Sequence, residues 1–114
     1  MGYLHYACEG RPVRIPDDVL AHLKAVTVTK LRRSESFTLS WVHHGDQPGR
    51  TTIWMQPSIP LRFEFDCMEP IPLDPELLRT IANEANSSRG VVIELEAEND
   101  HLAVGATSRP LVAA

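Results

Sequence analysis

The segment from residue 19 to residue 65 constrains the fold of this chain more than any other part. It begins with apolar residues at helical spacing, among them Leu20, Leu23 and Leu31, which would share one face of a helix. Three segments of alternating polarity follow, and each of them carries an aromatic residue. Alternation with a period of two is typical of strands with one buried face. The segment therefore predicts one amphipathic helix followed by three strands.

Two helices are predicted, and each begins at an acidic residue next to a proline. We expect the first helix over 17–33, with Asp17 as its cap, and the second over 74–87, where Asp74 precedes a proline at the first helical position. Residues 26–29 are β-branched and form helices poorly, so we expect tertiary packing to keep them helical.

Six further segments have the composition of strands, and they set the fold class. They are residues 2–8, 11–15, 36–44, 51–56, 61–67 and 91–98. In the segment LRFEFDC, the alternation points Cys67 inward together with the two phenylalanines. The order β-β-α-β-β-β-α-β predicts an α+β two-layer sandwich, in which a mostly antiparallel sheet carries both helices on one face. The other face of the sheet would be open to solvent or to a partner.

Length, charge and cysteine usage limit the classes of function. The chain has 114 residues, and we place one α+β domain at 1–98 and a flexible tail at 99–114, where the apolar pattern is lost. The formal net charge of −4 argues against nucleic-acid binding through bulk charge. Neither a leader nor an apolar run of about 20 residues is present. We therefore expect a cytoplasmic protein with reduced thiols and no membrane association.

Catalytic and metal-binding patterns are not found in the sequence. The adjacent residues His43 and His44 would point to opposite faces of a strand, so they could not easily share a metal ion. The loop 45–49 has too few glycines to cradle a phosphate. The sequence thus predicts no catalytic residue, no metal site and no cofactor, and it favours a binding or assembly module over an enzyme. Gly90 is typical of a left-handed stop after the second helix.

Basic residues suggest a first candidate surface. The candidates for an anion or nucleic-acid site are Lys30, Arg32, Arg33, Arg50 and Arg62. Arginine side chains that converge can hold phosphate groups by bidentate contacts. Two alternatives remain open: Lys30 could extend past the apolar face of the helix to reach water, and the arginines could pair with Glu35, Glu64 and Asp66.

An outward tryptophan suggests a second candidate surface. Strand phase places Trp54 opposite the inward side chains Ile53 and Met55. The residues expected to share its face are uncharged: Thr38, Ser40, Val42, Thr52 and Gln56. A solvated sheet face normally carries charges, so this composition favours an interface with a protein partner or with a second copy in a homodimer. Cross-strand packing of Trp54 against a neighbouring side chain is the alternative.

Three segments of the chain resemble a family of small actinobacterial proteins of about this length. They are MGYLHY, LAHLKAVTVTKLRRSESFTLSW and TTIWMQPSIPLRFEF, with KLRRSESF, SW and PSIPLRF the most specific parts, and the resemblance covers roughly residues 1–96. Members are often labelled ATP-dependent DNA ligase, a label that implies enzymatic end joining. Such a ligase needs a Lys-x-Asp-Gly nucleophile motif. Lys24 is followed by Ala-Val and Lys30 by Leu-Arg, so no catalytic residue is carried over.

Two hypotheses of function follow. The leading one is a small non-enzymatic binding or assembly module that is homo-oligomeric through the open sheet face. The alternative is a nucleic-acid-associated accessory protein of DNA repair, which would bind weakly through a basic patch at the end of the first helix. The sequence identifies no ligand, partner or pathway.

Overall fold

A computed structural model describes residues 1–8, 10–44 and 46–95, and it confirms the predicted α+β class. The elements in chain order are β1 (Gly2–Tyr6), β2 (Val13–Ile15), α1 (Asp17–Arg32), β3 (Phe37–His43), β4 (Gly49–Met55), β5 (Leu61–Glu64), α2 (Pro75–Ala85) and β6 (Val91–Glu94). Their order along the chain is the predicted one. The strand predicted over 91–98 ends at Glu94, and its last residues together with the tail at 99–114 lie outside the described residues.

The strands divide between two three-stranded sheets instead of forming one. The first sheet has the order β2-β1-β5 and is antiparallel throughout. The second has the order β4-β3-β6, in which β4 runs antiparallel and β6 parallel to β3. Two prolines in the connection after β4 direct the chain away from the second sheet, and Pro60 accepts a hydrogen bond from the Ala7 amide at 2.8 Å. The next strand therefore joins β1.

The core is built from one face of β3 and the apolar faces of both helices. Phe37, Leu39 and Trp41 alternate along β3 and are buried, as their spacing predicts. Leu20 and Leu23 of α1 are fully buried in the same cluster, as are further side chains from β1, β4, α2 and β6: Leu4, Met55, Ile81 and Ile93. Each such side chain contributes about 1.5–3 kcal/mol when it leaves water.

The β-branched segment of α1 stays helical because the core covers part of it. Val26 and Thr27 are 4% and 2% exposed, so burial outweighs the low helix propensity of these residues, as expected. The predicted cap was wrong. Pro16 is the N-cap residue, and the Asp17 carboxylate instead lies 3.5 Å from the N-terminal ammonium group. The proline, with its φ of −55°, sets the entry of the chain without a side-chain cap.

A buried histidine connects α1 to the start of α2. His22 is 2% exposed, and its Nε2 accepts a hydrogen bond from the Asp74 amide at 2.7 Å. Its Nδ1 therefore carries the proton and donates to the Asp18 carbonyl at 2.6 Å. The Asp74 carboxylate caps α2 by accepting from the Glu76 amide, which confirms the predicted cap.

Strand β5 ends earlier than its alternating pattern predicts, and Cys67 is exposed instead of inward-facing. The register explains the difference. Glu64 pairs with Tyr3 near the first residue of β1, so the chain beyond has no strand left to pair with. At the other end of the sheet, β1 stops at Tyr6 because Ala7 adopts a positive φ of 57°.

Gly90 has the left-handed conformation predicted for it, with φ of 78°. A Cβ at this position would clash with the hydroxyl of Thr38 and would lie 2.7 Å from the Thr38 carbonyl oxygen. Glycine is therefore required here both by the backbone conformation and by the close approach of β3.

We predict that Gly90→Ala lowers the free energy of unfolding by about 2 kcal/mol or more, because left-handed strain and the contact with Thr38 add. Urea denaturation followed by circular dichroism measures the loss. Gly10→Ala is the matched control, since a Cβ at Gly10 meets nothing within 4 Å. Equal stabilities of the two variants would contradict this account of Gly90.

Candidate functional site

The β4-β3-β6 sheet has an outer face that points away from the core. The register places Trp54 opposite Thr38, Thr52 opposite Ser40, and Arg50 opposite Val42. On the other side of β3, Val92 lies beside Ser40 and Glu94 lies beside Val42. Side chains in these rows project to one side of the sheet, because neighbours across a ladder share a face. These eight residues are called the outer face below.

The centre of the outer face is uncharged and its charges lie at one end. Trp54 is 52% exposed, Thr38, Ser40 and Val42 are half-buried, and Thr52 is exposed. Arg50 and Glu94 flank Val42 from the two neighbouring strands. Gln56, which the sequence assigned to this face, follows the end of β4. Its carbonyl accepts from the Ile59 amide and its side chain accepts from the Ser58 hydroxyl, so it belongs to the turn.

Hydrogen bonds within the chain link side chains of the outer face and engage one backbone group on each edge of the sheet. Ser40 Oγ and Thr52 Oγ1 lie 2.7 Å apart across the central ladder. On the β4 edge, the Tyr6 hydroxyl donates to the Trp54 carbonyl at 2.8 Å. On the β6 edge, Glu84 of α2 accepts a hydrogen bond from the Val92 amide at 3.2 Å. Backbone groups that are occupied in this way resist pairing with another strand.

The five basic residues proposed from the sequence lie in four different surroundings. Lys30 is turned toward its own chain: its Nζ donates to Asn86 Oδ1 at 2.6 Å and lies 3.2 Å from Glu35. Arg62 lies 3.7 Å from Glu64 and 3.5 Å from His5 Nε2. Arg50 belongs to the outer face.

Arg32 and Arg33, at the end of α1, remain adjacent to each other. Together with Thr29 they line a small cleft of about 310 Å³. Arg32 also lies, with Arg62, along an apolar groove of about 700 Å³ between α1 and β5. Half-buried aromatic side chains from β5 and the residues after it, Phe63 and Phe65, contribute to that groove. The structure thus brings Arg32 near Arg33 and near Arg62, but it places Lys30 and Arg50 elsewhere.

A further cleft, which the sequence did not suggest, lies beside the β3–β4 hairpin. Its volume is about 580 Å³, and it is lined by Arg11 and Arg14 from the chain around β2 and by Trp41, His43 and Thr51 from the hairpin. About 30 residues separate the two halves of this lining, so only the folded chain brings them together. No local spacing in the sequence could have indicated it.

Within residues 1–8, 10–44 and 46–95, no three His, Cys, Asp or Glu side chains form a group that could hold a metal ion. Cys8 and Cys67 are both exposed thiols. Of the two helices in the described part of the chain, neither has the length and apolar composition that a membrane span requires.

Comparison with known proteins identifies the family. Residues 1–96 match a family described as a domain of unknown function (DUF7882). The chain belongs to this family. No curated protein and no solved structure matches it. The match covers both sheets and both helices, so the outer face and the hairpin cleft lie within the region that matches the family.

Proposed function

We propose that this chain is a non-enzymatic assembly module that binds a second copy of itself through the outer face. The observation that carries the proposal is Trp54, a large side chain that is 52% exposed on a face whose centre has no charge. Tryptophan is enriched among the residues that dominate interface energetics, and charges are depleted at interface centres.

Association through the face is favoured over association through a sheet edge. Tyr6 occupies the Trp54 carbonyl on the β4 edge, and Glu84 occupies the Val92 amide on the β6 edge. A second copy that added its strand to either edge would have to displace these hydrogen bonds. Association through the outer face would displace neither of these hydrogen bonds.

The charges at the end of the outer face specify an orientation. A twofold axis parallel to β3 would place β4 of one copy over β6 of the other. Arg50 of each copy would then lie over Glu94 of the other, giving two equivalent ion pairs at the rim. In the same arrangement Trp54 would lie over the position beside Thr38, where Gly90 has no side chain. The face is therefore complementary to itself in this orientation.

A second candidate function is a nucleic-acid-associated accessory role, in keeping with the DNA-ligase label that the family resemblance implies. The observation that favours it is the adjacency of Arg32 and Arg33, both exposed and neither in an ion pair with any described residue. Two such cations in a chain of net charge −4 support weak binding only.

We predict that Trp54→Ala shifts the chain from dimer to monomer without unfolding it. Each copy would lose one exposed aromatic at a cost of about 2 kcal/mol, so the dimer would lose about 4 kcal/mol, which is on the order of 1,000-fold in Kd. Sedimentation equilibrium measures the change, and circular dichroism checks the fold. Val28→Ala is the matched control, because Val28 is also exposed but lies on α1, in the groove facing β5. A wild-type chain that stays monomeric at millimolar concentration would exclude self-association.

The orientation of the two copies can be tested by charge reversal. Arg50→Glu should weaken the dimer about tenfold, because the new carboxylate of each copy would lie over Glu94 of the other copy. Adding Glu94→Arg should restore the wild-type Kd, because the ion pairs reform with reversed polarity. If the double variant associates no better than the single variant, the twofold axis does not run parallel to β3.

For the second candidate, we predict that any affinity for a labelled DNA duplex is weak and falls steeply with salt. Replacing Arg32 and Arg33 together by Ala should reduce the slope of log K against log salt by about 2, because two phosphate contacts are lost. Fluorescence anisotropy measures the slope. Arg79→Ala with Arg89→Ala removes the same charge from other surfaces, and an equal effect would show that net charge alone is responsible.

A further inference from the structure

The cleft beside the β3–β4 hairpin has the dimensions of a small-molecule site. Its volume of about 580 Å³ falls within the range of such sites, which runs from about 300 to 1,000 Å³. It is formed where the segment around β2 meets the inner side of the hairpin. The outer face lies on the opposite side of the same sheet, so the cleft is independent of the proposed assembly surface.

The hairpin wall of the cleft is ordered by His43. Its Nδ1 lies 3.0 Å from the Gln47 carbonyl, and because a carbonyl only accepts, Nδ1 carries the proton and donates. Its Nε2 then accepts from the Thr51 hydroxyl at 3.0 Å. Gly49 packs against the ring, since a Cβ there would lie 3.0 Å from the imidazole carbon Cε1. This wall is therefore preorganised before any ligand arrives, and both ring nitrogens of His43 are already engaged.

Two arginines, Arg11 and Arg14, line the opposite wall of the cleft. Neither Arg11 nor Arg14 forms an ion pair with a described residue, and Arg14 Nε is buried without a hydrogen-bond acceptor. Asp46 is the only acidic side chain among the described residues that line the cleft. The cleft is thus locally basic in a chain of net charge −4.

An oxyanion is the ligand group that a guanidinium binds most strongly. A phosphate or carboxylate group alone would fill only a small part of the cleft. Pro12, Val13 and Trp41 supply an apolar surface next to the arginines. The ligand that matches both parts carries an anionic group joined to an apolar or aromatic group.

We infer that this cleft binds a small organic anion, whose phosphate or carboxylate group is held by Arg14 and Arg11 and whose apolar part lies against Val13 and Trp41. His43 and Thr51 shape the cleft without contributing a free donor, since they bond to each other.

The two tryptophans of the chain make the inference testable by nuclear magnetic resonance. Trp41 lines the cleft, whereas Trp54 lies on the outer face and serves as an internal reference. ¹⁵N-labelled protein is titrated with phenyl phosphate, benzoate, inorganic phosphate and neutral benzyl alcohol. We expect saturable movement of the Trp41 indole signal with at least one aromatic anion, weaker binding of inorganic phosphate, and an unmoved Trp54 signal. Tighter binding of phenyl phosphate than of benzoate, or the reverse, identifies the anionic group.

Matched variants separate a specific contact from bulk charge. Arg14→Gln should weaken the Kd of the better aromatic anion at least tenfold, while Arg79→Gln, the same change on the exposed side of α2, should leave it unaltered. The amide spectrum of each variant reports its fold, and Arg11→Gln provides a second test if Arg14→Gln does not fold. The inference is overturned if neither aromatic anion moves the Trp41 signal saturably. Equal binding of benzyl alcohol, or an equal loss with Arg79→Gln, would overturn it as well.

Discussion

The position of β3 between β4 and β6 is the constraint on which the rest of the structure depends. Its Phe37, Leu39 and Trp41 enter the core, while the residues between them form the middle row of the outer face. A shift of one residue in its pairing would exchange these two sets and would bury hydroxyl groups in the core. The core thus determines the register of β3, and this register determines which side chains the outer face presents.

The buried imidazole of His22 extends this constraint to the second half of the chain. By accepting from the Asp74 amide, it sets the point at which α2 begins beside α1. Helix α2 then returns the chain to β3, where Gly90 allows the close approach to Thr38 that starts β6. Strand β6 then brings Glu94 beside Val42. The proposed ion pair across the dimer therefore depends on an interaction far from the outer face.

One sheet supports two different proposed contacts because its faces differ in chemistry. Trp54 projects from β4 on the outer face, and Trp41 projects from β3 toward the hairpin cleft on the other side. The alternation of strand residues keeps these two tryptophans apart even though their strands are paired. Binding at the cleft and assembly at the outer face can therefore occur in the same molecule.

Local patterns in the sequence determined the elements, their order and the side of β3 that is buried, because capping and alternation act over a few residues. They also placed Trp54 on the face of β4 opposite to Ile53 and Met55, whereas Gln56, predicted for the same face, belongs to the turn after β4. Only the tertiary structure decided that the strands form two sheets, that β5 stops where β1 provides no further partner, and that Lys30 turns toward Asn86. The cleft lined by Arg11 and Arg14 could not be predicted from the sequence either, because its two walls are distant in sequence and become adjacent only after folding.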